Sequence, residues 1–200
     1  RGNLLTKRVF DLVVASMIVL AGLPLWMVLA LGIVVDDPGP ILYRQRRIGQ
    51  DGVEFDMLKF RSMCVDADAR LQELQASNEA TGPLFKMKDY PRVTGIGKWM
   101  RKFSIDEFPQ LLNVLRGEMS LVGPRPPLPG ETATYNDHHW RRMQVPPGMT
   151  GLWQVSGRSA LSFDEMVRLD LFYIENWSVG FDLSLMFRTI PAVFWARGAY

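Results

Sequence analysis

The sequence predicts a mainly α protein with minor β content: a small α-rich domain over residues 38-200 resting on an N-terminal membrane-embedded helix over 1-37. Three observations carry this. A run of 24 residues, Leu12 to Val35, holds no charge. Beyond it, apolar residues recur at helical spacing behind serine and glutamate start signals, and only two short stretches read as strand. Two hundred residues suffice for one domain with a sizeable core. A hydrophobic content of 48% with mean hydropathy +0.00 is ordinary, so the distribution of apolar residues decides, not their number. A net charge of +2 is too small for wholesale nucleic-acid binding, and no nucleic-acid partner is expected. A single cysteine, Cys64, excludes an internal disulfide framework and reads as a buried structural thiol.

An α-helix over the uncharged run would be about 36 Å long, the thickness of a bilayer core. Lys7 and Arg8 flank one end and Arg44, Arg46 and Arg47 follow the other. Basic residues gather on the cytoplasmic side of membrane helices, so cations on both flanks fit poorly with a crossing. Pro24, with Gly22 nearby, favours a bend at membrane depth. A re-entrant helix-break-helix is therefore favoured over a kinked spanning helix; Ser16 is the run's only polar side chain for freed backbone groups.

Asp36 to Pro40 ends this helix, and Ile41 to Tyr43 with Val53 to Leu58 reads as a short hairpin around Ile48 to Gly52. Helices are predicted from Asp66 to Asn78 and from Ile96 to Phe103. Ser104 then reads as an N-cap whose capping box closes on Glu107, placing Asp106 and Glu107 in a helix's first turn. Ser162 with Glu165 marks another helix, running to Ile174. Phe181 to Trp195 is an amphipathic helix that either lies at the bilayer interface or packs on the core.

Walker, GxGxxG and GxSxG patterns and zinc-spaced cysteines are absent. His138 and His139 sit in a polar stretch and read as solvent-facing, which disfavours histidine chemistry. What remains is a set of cations at turns and helix ends: Lys59 and Arg61 in LKFRSM, Arg101, Arg125 between prolines, and Arg158 in SGRS. Guanidinium forks match phosphate oxygens, and rigid loops hold such side chains in place. A carboxylate pair beside them can supply a nucleophile and a Mg²⁺ ligand, since magnesium uses one or two carboxylates plus substrate phosphates. The residues thus point to phosphoryl chemistry near a membrane.

The segments KRVFDL (from Lys7), LKFRSM (from Leu58), SIDEFPQLLNVLRGEMSLVGPRP (from Ser104), PPGMTGLWQVSGRS (from Pro146) and LDLFYIENWS (from Leu169) closely resemble the bacterial sugar transferases, the monotopic polyprenyl-phosphate phosphoglycosyltransferases. The resemblance covers nearly the whole chain. It implies a catalytic domain at the cytoplasmic face of the bacterial inner membrane. There Asp106 attacks the β-phosphate of a UDP-sugar, UMP leaves, and polyprenyl phosphate takes the sugar phosphate from the aspartyl adduct. Mg²⁺ held by Glu107 would be the cofactor. Lys59, Arg61, Arg101 and Arg125 would contact phosphate, and Arg158, Asp170 and Asp182 would bind nucleotide or shape the site. Leu23 departs from the serine that many relatives carry before the bend proline, removing a hydroxyl that could serve the freed backbone. The non-methionine start resembles the catalytic C-terminal part of larger members, implying a preceding N-terminal portion.

Two alternatives stand beside this reading. One is a membrane-associated scaffold whose basic loops bind anionic lipid and whose Asp106-Glu107 pair only stabilises a helix start. The other keeps the enzyme but makes Asp106 a base in a one-step transfer; a phosphate already ionised at neutral pH has little need of one. Sugar identity, with galactose or glucose a weak expectation, and the glycan pathway are not legible. Exposed membrane and interfacial helices make a homodimer a reasonable arrangement, with oligomeric state otherwise open.

Overall fold

A computed structural model describes residues 2-67, 92-157 and 161-194. It is mostly helical with two two-stranded sheets. Helix α1 runs Gly2–Asp36 and remains helical through Pro24, so the interruption expected within 1-37 is absent from the backbone. Proline removes one donor to the ladder, but the turns on either side carry the helix past it. Most of α1 is apolar and outward-facing: Val13, Met17, Leu20, Met27, Val28 and Leu31 are all exposed. Such a surface cannot face water without cost, which marks a lipid or protein environment. The segment Leu4–Asp36, whose most apolar stretch has mean hydropathy 2.6, is long and apolar enough to cross a membrane.

Both ends of α1 hold the same domain. Near its start, Arg8 donates through Nη1 and Nη2 to the Val114 and Leu115 carbonyls at 2.5 and 2.8 Å, and Asp11 accepts from the Leu121 amide at 3.3 Å. At the far end Trp26 meets Phe60 edge to face at 5.7 Å, and Asp36 accepts from the Ile96 amide at 2.9 Å. Arg61 bonds the Asp37 carbonyl and pairs with the Asp37 carboxylate at 3.7 Å, closing the helix's carbonyl end.

Strands β1 (Leu42–Ile48) and β2 (Glu54–Phe60) form the antiparallel hairpin, turning at Gln50–Gly52, where Asp51 and Gly52 take positive φ. Helix α2 is Gly95–Lys102, capped by Thr94, whose hydroxyl accepts from the Gly97 amide. Helix α3 is Gln110–Arg116, ending on Gly117 at φ 89°. Strand β3 (Ser120–Val122) pairs in parallel with β4 (Gly148–Thr150). The short helices α4 (Pro129–Thr132), α5 (Asp137–Trp140) and α6 (Leu152–Ser156) lead to α7 (Phe163–Glu175), with the expected Ser162 and Glu165 capping box, and α8 (Val179–Phe194). Of the helix expected over Asp66 to Asn78, all beyond Ala67 lies outside the described residues.

The main core packs Phe55 and Met57 of β2, Leu111 and Val114 of α3, and Val122, Tyr173 and Leu185 around Ala15 of α1. A smaller cluster joins Leu29 and Ile33 of α1 to Phe60 and Met100. Helix α8 packs on the core through Leu185, which is fully buried, whereas Leu183, Phe187 and Ile190 are exposed. Cys64 is half-buried, not fully buried as expected. His138 is exposed, whereas His139 is half-buried with its ring 5.0 Å from Phe163, edge to face.

Candidate active site

The acidic pair does not sit where a capping box would put it. Ser104 is left-handed, at φ 53°, and its side chain caps nothing. A 3₁₀ turn, Ile105–Glu107, follows, and α3 begins only after Pro109. Proline cannot donate a backbone hydrogen bond and belongs at a helix start, so it separates this turn from the helix. Asp106 and Glu107 thus occupy a short, tight corner between α2 and α3, both half-buried. They are not the dipole-stabilised first turn of a long helix.

The hairpin brings the first cation. Lys59 Nζ donates to Glu107 Oε1 at 2.9 Å. Its reach is fixed by Asn113, fully buried on α3, which accepts from the Leu58 amide at 3.0 Å and donates to the Asp56 carbonyl at 2.8 Å. Burial and the charge of Glu107 raise Asp106 above the ordinary aspartate range, while Lys59 and Arg101 pull it back. No other described side chain is hydrogen-bonded to Asp106. Its own backbone amide donates to it, which leaves acceptor capacity on the carboxylate.

The rigid loops bring the second. The Gly148 amide donates to the Pro124 carbonyl at 2.8 Å, and the Gly123 amide to the Thr150 carbonyl at 2.9 Å, so the Pro-Pro-Gly and Gly-Pro-Arg-Pro segments brace each other. A Cβ on Gly148 would come within 2.0 Å of the Gly123 nitrogen, so only glycine permits this approach. Arg125 emerges from the braced loop, half-exposed, with Nη1 3.5 Å from Glu131 Oε2. Beside it lies Arg47, buried on β1, whose guanidinium is pushed down to about 10 by burial and by the charge of Arg125. Arg47 is absent from the cations singled out in the sequence, although strand alternation could have found it: the register puts Tyr43, Gln45 and Arg47 on the same hairpin face as Lys59.

Other expected site residues are occupied elsewhere. Arg61 is buried against the end of α1, where its Nη2 bonds the Asp37 carbonyl and pairs with the Asp37 carboxylate. Asp170 is buried in an ion pair with Arg142 at 2.6 Å, its carboxyl pushed up to about 6 by burial. Asp182 is fully buried and accepts from Lys7 at 2.6 Å, Tyr173 at 2.7 Å and Trp177 at 3.1 Å, binding α1, α7 and α8 together. Both aspartates hold elements of the fold together through buried polar contacts. Arg158 lies outside the described residues. A cavity of about 230 Å³ near Leu4, Lys7 and Trp177 shares no lining residue with the Asp106 corner.

Among the described residues no cluster of three or more metal-ligating side chains exists. Two adjacent carboxylates nevertheless suit Mg²⁺, which fills its remaining octahedral positions with water and substrate oxygens.

The fold and site thus combine one long apolar helix with a half-buried carboxylate pair under the charges of Lys59 and Arg101. The model of the bacterial sugar transferase family matches residues 2–196, and the chain belongs to that family; it is a phosphoglycosyltransferase. It is 45% identical over 201 residues to the exopolysaccharide production protein ExoY of Sinorhizobium fredii, covering 98% of this chain and 88% of that one. It is 41% identical to the undecaprenyl-phosphate galactose phosphotransferase of Salmonella typhimurium, covering all of this chain but 43% of that one. It is 39% identical to the UDP-glucose:undecaprenyl-phosphate glucose-1-phosphate transferase of Caulobacter vibrioides, covering 98% and 72%. The chain thus spans most of some relatives and under half of others.

Proposed function

We propose that this protein transfers a hexose-1-phosphate from a UDP-sugar to undecaprenyl phosphate, in two displacements at one phosphorus. The observation that carries the reading is Asp106: half-buried, raised in pKa, without a side-chain hydrogen-bond partner, and beside Glu107, Lys59 and Arg101. A carboxylate oxygen of Asp106 attacks the phosphorus bonded to the sugar. The bond to the oxygen bridging the two phosphates breaks, and UMP leaves with those electrons. A phosphate oxygen of the lipid then attacks the same phosphorus, breaking the aspartyl bond and restoring the carboxylate. No proton needs to be abstracted, since both attacking groups are ionised at neutral pH.

Glu107 would hold Mg²⁺, which when bound neutralises charge on the diphosphate. Lys59 shares Glu107 in this arrangement and steadies it while offering its own charge to the leaving phosphate. Arg125, on its braced loop, and Arg101 bind the donor's phosphate oxygens. Relatives named for galactose and for glucose leave the hexose to experiment.

The same reading places α1 in the cytoplasmic leaflet of the bacterial inner membrane without crossing it. A straight 35-residue helix would extend about 52 Å, yet residues at both ends touch the domain. Cysteines introduced at Asn3 and Asp37 should label from the same side; opposite sides would overturn this topology.

The deciding experiment measures UMP release by purified protein in native-like lipid, with Mg²⁺, undecaprenyl phosphate and a panel of UDP-sugars. Release by the wild type together with a trapped phosphosugar on Asp106 is expected. Release without any covalent adduct would favour one-step transfer with Asp106 as base. Silence with every donor would favour the scaffold.

A further inference from the structure

We infer that Arg47 is a positioning residue: tied to the Pro126 carbonyl, it sets the place of Arg125 and thereby the anion affinity of the site. The inference deepens the transferase reading and rests on its assignment of Arg125 to donor phosphate.

The local structure leads to it directly. The hairpin register pairs Arg47 with Phe55 and Tyr43 with Lys59, so Arg47 and Lys59 project from one face, toward the Asp106 corner and the Arg125 loop. Arg47 Nη1 donates to the Pro126 carbonyl at 3.1 Å and Nη2 to Gln45 Oε1 at 2.9 Å. The adjacent Ile48 amide donates to the Pro127 carbonyl at 3.0 Å, so β1 grips the loop immediately after Arg125 at two points. Arg47 Nε is buried and has no partner.

Energetics then favour an anion. A guanidinium only 7% exposed would normally be ion-paired, yet Arg47 meets no carboxylate within salt-bridge distance among the described residues. The charge that acts on it most strongly is another cation, Arg125, ahead of Glu131 and Glu107, which act the other way. Arg47 cannot retreat, because both Nη groups are committed. Arg125 can: its side chain is 40% exposed and its contact with Glu131 is a loose 3.5 Å, while Glu131 Oε2 is also held by the Leu128 amide at 2.8 Å. Repulsion from the fixed cation therefore biases the movable one outward, and an anion bound by Arg125 relieves the strain between them. Such a device fits a diphosphate, which brings negative charge and pairs of acceptor oxygens for the fork.

The test is a double-mutant cycle on the full chain, with inorganic pyrophosphate plus Mg²⁺ as binding probe and UMP release as the kinetic readout. Arg47→Gln is expected to weaken pyrophosphate binding about tenfold and to raise the donor KM similarly, with kcat little changed. Arg125→Gln should weaken it at least as much. The double variant should be no weaker than Arg125→Gln alone. Fully additive losses would mean that Arg47 acts independently of Arg125 and would overturn the inference, as would unchanged affinity in a folded Arg47→Gln. If that variant does not fold, Arg47→Lys carries the test, since it keeps the charge but not the two-point fork. A loss that vanishes in the Arg125→Gln background supports the inference, and a persistent loss overturns it. Because pyrophosphate needs neither sugar nor lipid, coupled binding without UMP release would sink the transferase reading alone. Absence of pyrophosphate binding by the wild type would overturn the role of Arg47.

Discussion

Asp106 and Asp182 are both aspartates near lysines, and the structure uses them in opposite ways. Asp182 is fully buried, with a lysine from α1, a phenol from α7 and an indole from the segment between α7 and α8 donating to it. Asp106 is half-buried, has a like charge as its sequence neighbour, and receives no side-chain donor. A carboxylate whose lone pairs are all engaged has nothing left to offer a substrate; Asp106, held among the described residues only by its own backbone amide and by the charges of Lys59 and Arg101, keeps acceptor capacity to spare. The difference separates framework from chemistry where residue type and local charge do not.

The contrast is broken most severely at Asp106. Asp106→Asn should reduce UMP release to background while the folded protein persists, read by turnover and thermal melting together. Its stability should rise, by up to about 1 kcal/mol. The sign follows from the raised pKa: the folded state disfavours the charged form, so above both pKa values the carboxylate costs stability that the neutral amide restores. Asp182→Ala should do the reverse. It leaves Lys7 only its longer contact with Asp11 and strands the Trp177 N–H, and should cost about 3 kcal/mol in denaturant melts while the folded fraction retains its KM. Equal destabilisation by both substitutions would erase the distinction.

Glu107→Gln should lower kcat about a hundredfold and shift the Mg²⁺ dependence, since the amide is a poorer ligand and no longer pairs with Lys59. The smallest effect is in pH. Attack requires the Asp106 carboxylate, so the rate should fall as pH drops through a value above the ordinary aspartate range. Arg101→Gln should move that acid limb higher still, because Arg101 now lowers it. A limb unmoved by Arg101→Gln would remove Arg101 from the electrostatics of the site.

Much of this was legible in the chain. The apolar run from Leu12 to Val35, the hairpin and the helix opened by Ser162 are local patterns, and the structure contains all three. Ser104 misled because Ser-x-x-Glu matches a capping box, whereas Pro109 delays the helix and leaves Ser104 left-handed. Asn113 and Arg47 were missed because a buried Asn bridging α3 to β2, or a buried Arg bridging β1 to a loop, acquires its role from residues 55 and 79 positions away.

The sequence by itself determined the membrane segment, the carboxylate pair, the phosphate-matching cations and the family, because each is written in residue type at short spacing. Only the tertiary structure decided which charges remain available. Lys59 reaches Glu107 across 48 positions, Asp182 accepts from Lys7 across 175, and Arg61 Nη2 closes the end of α1. Whether a charge is satisfied depends on partners that folding brings together, and their identity is not local in the chain.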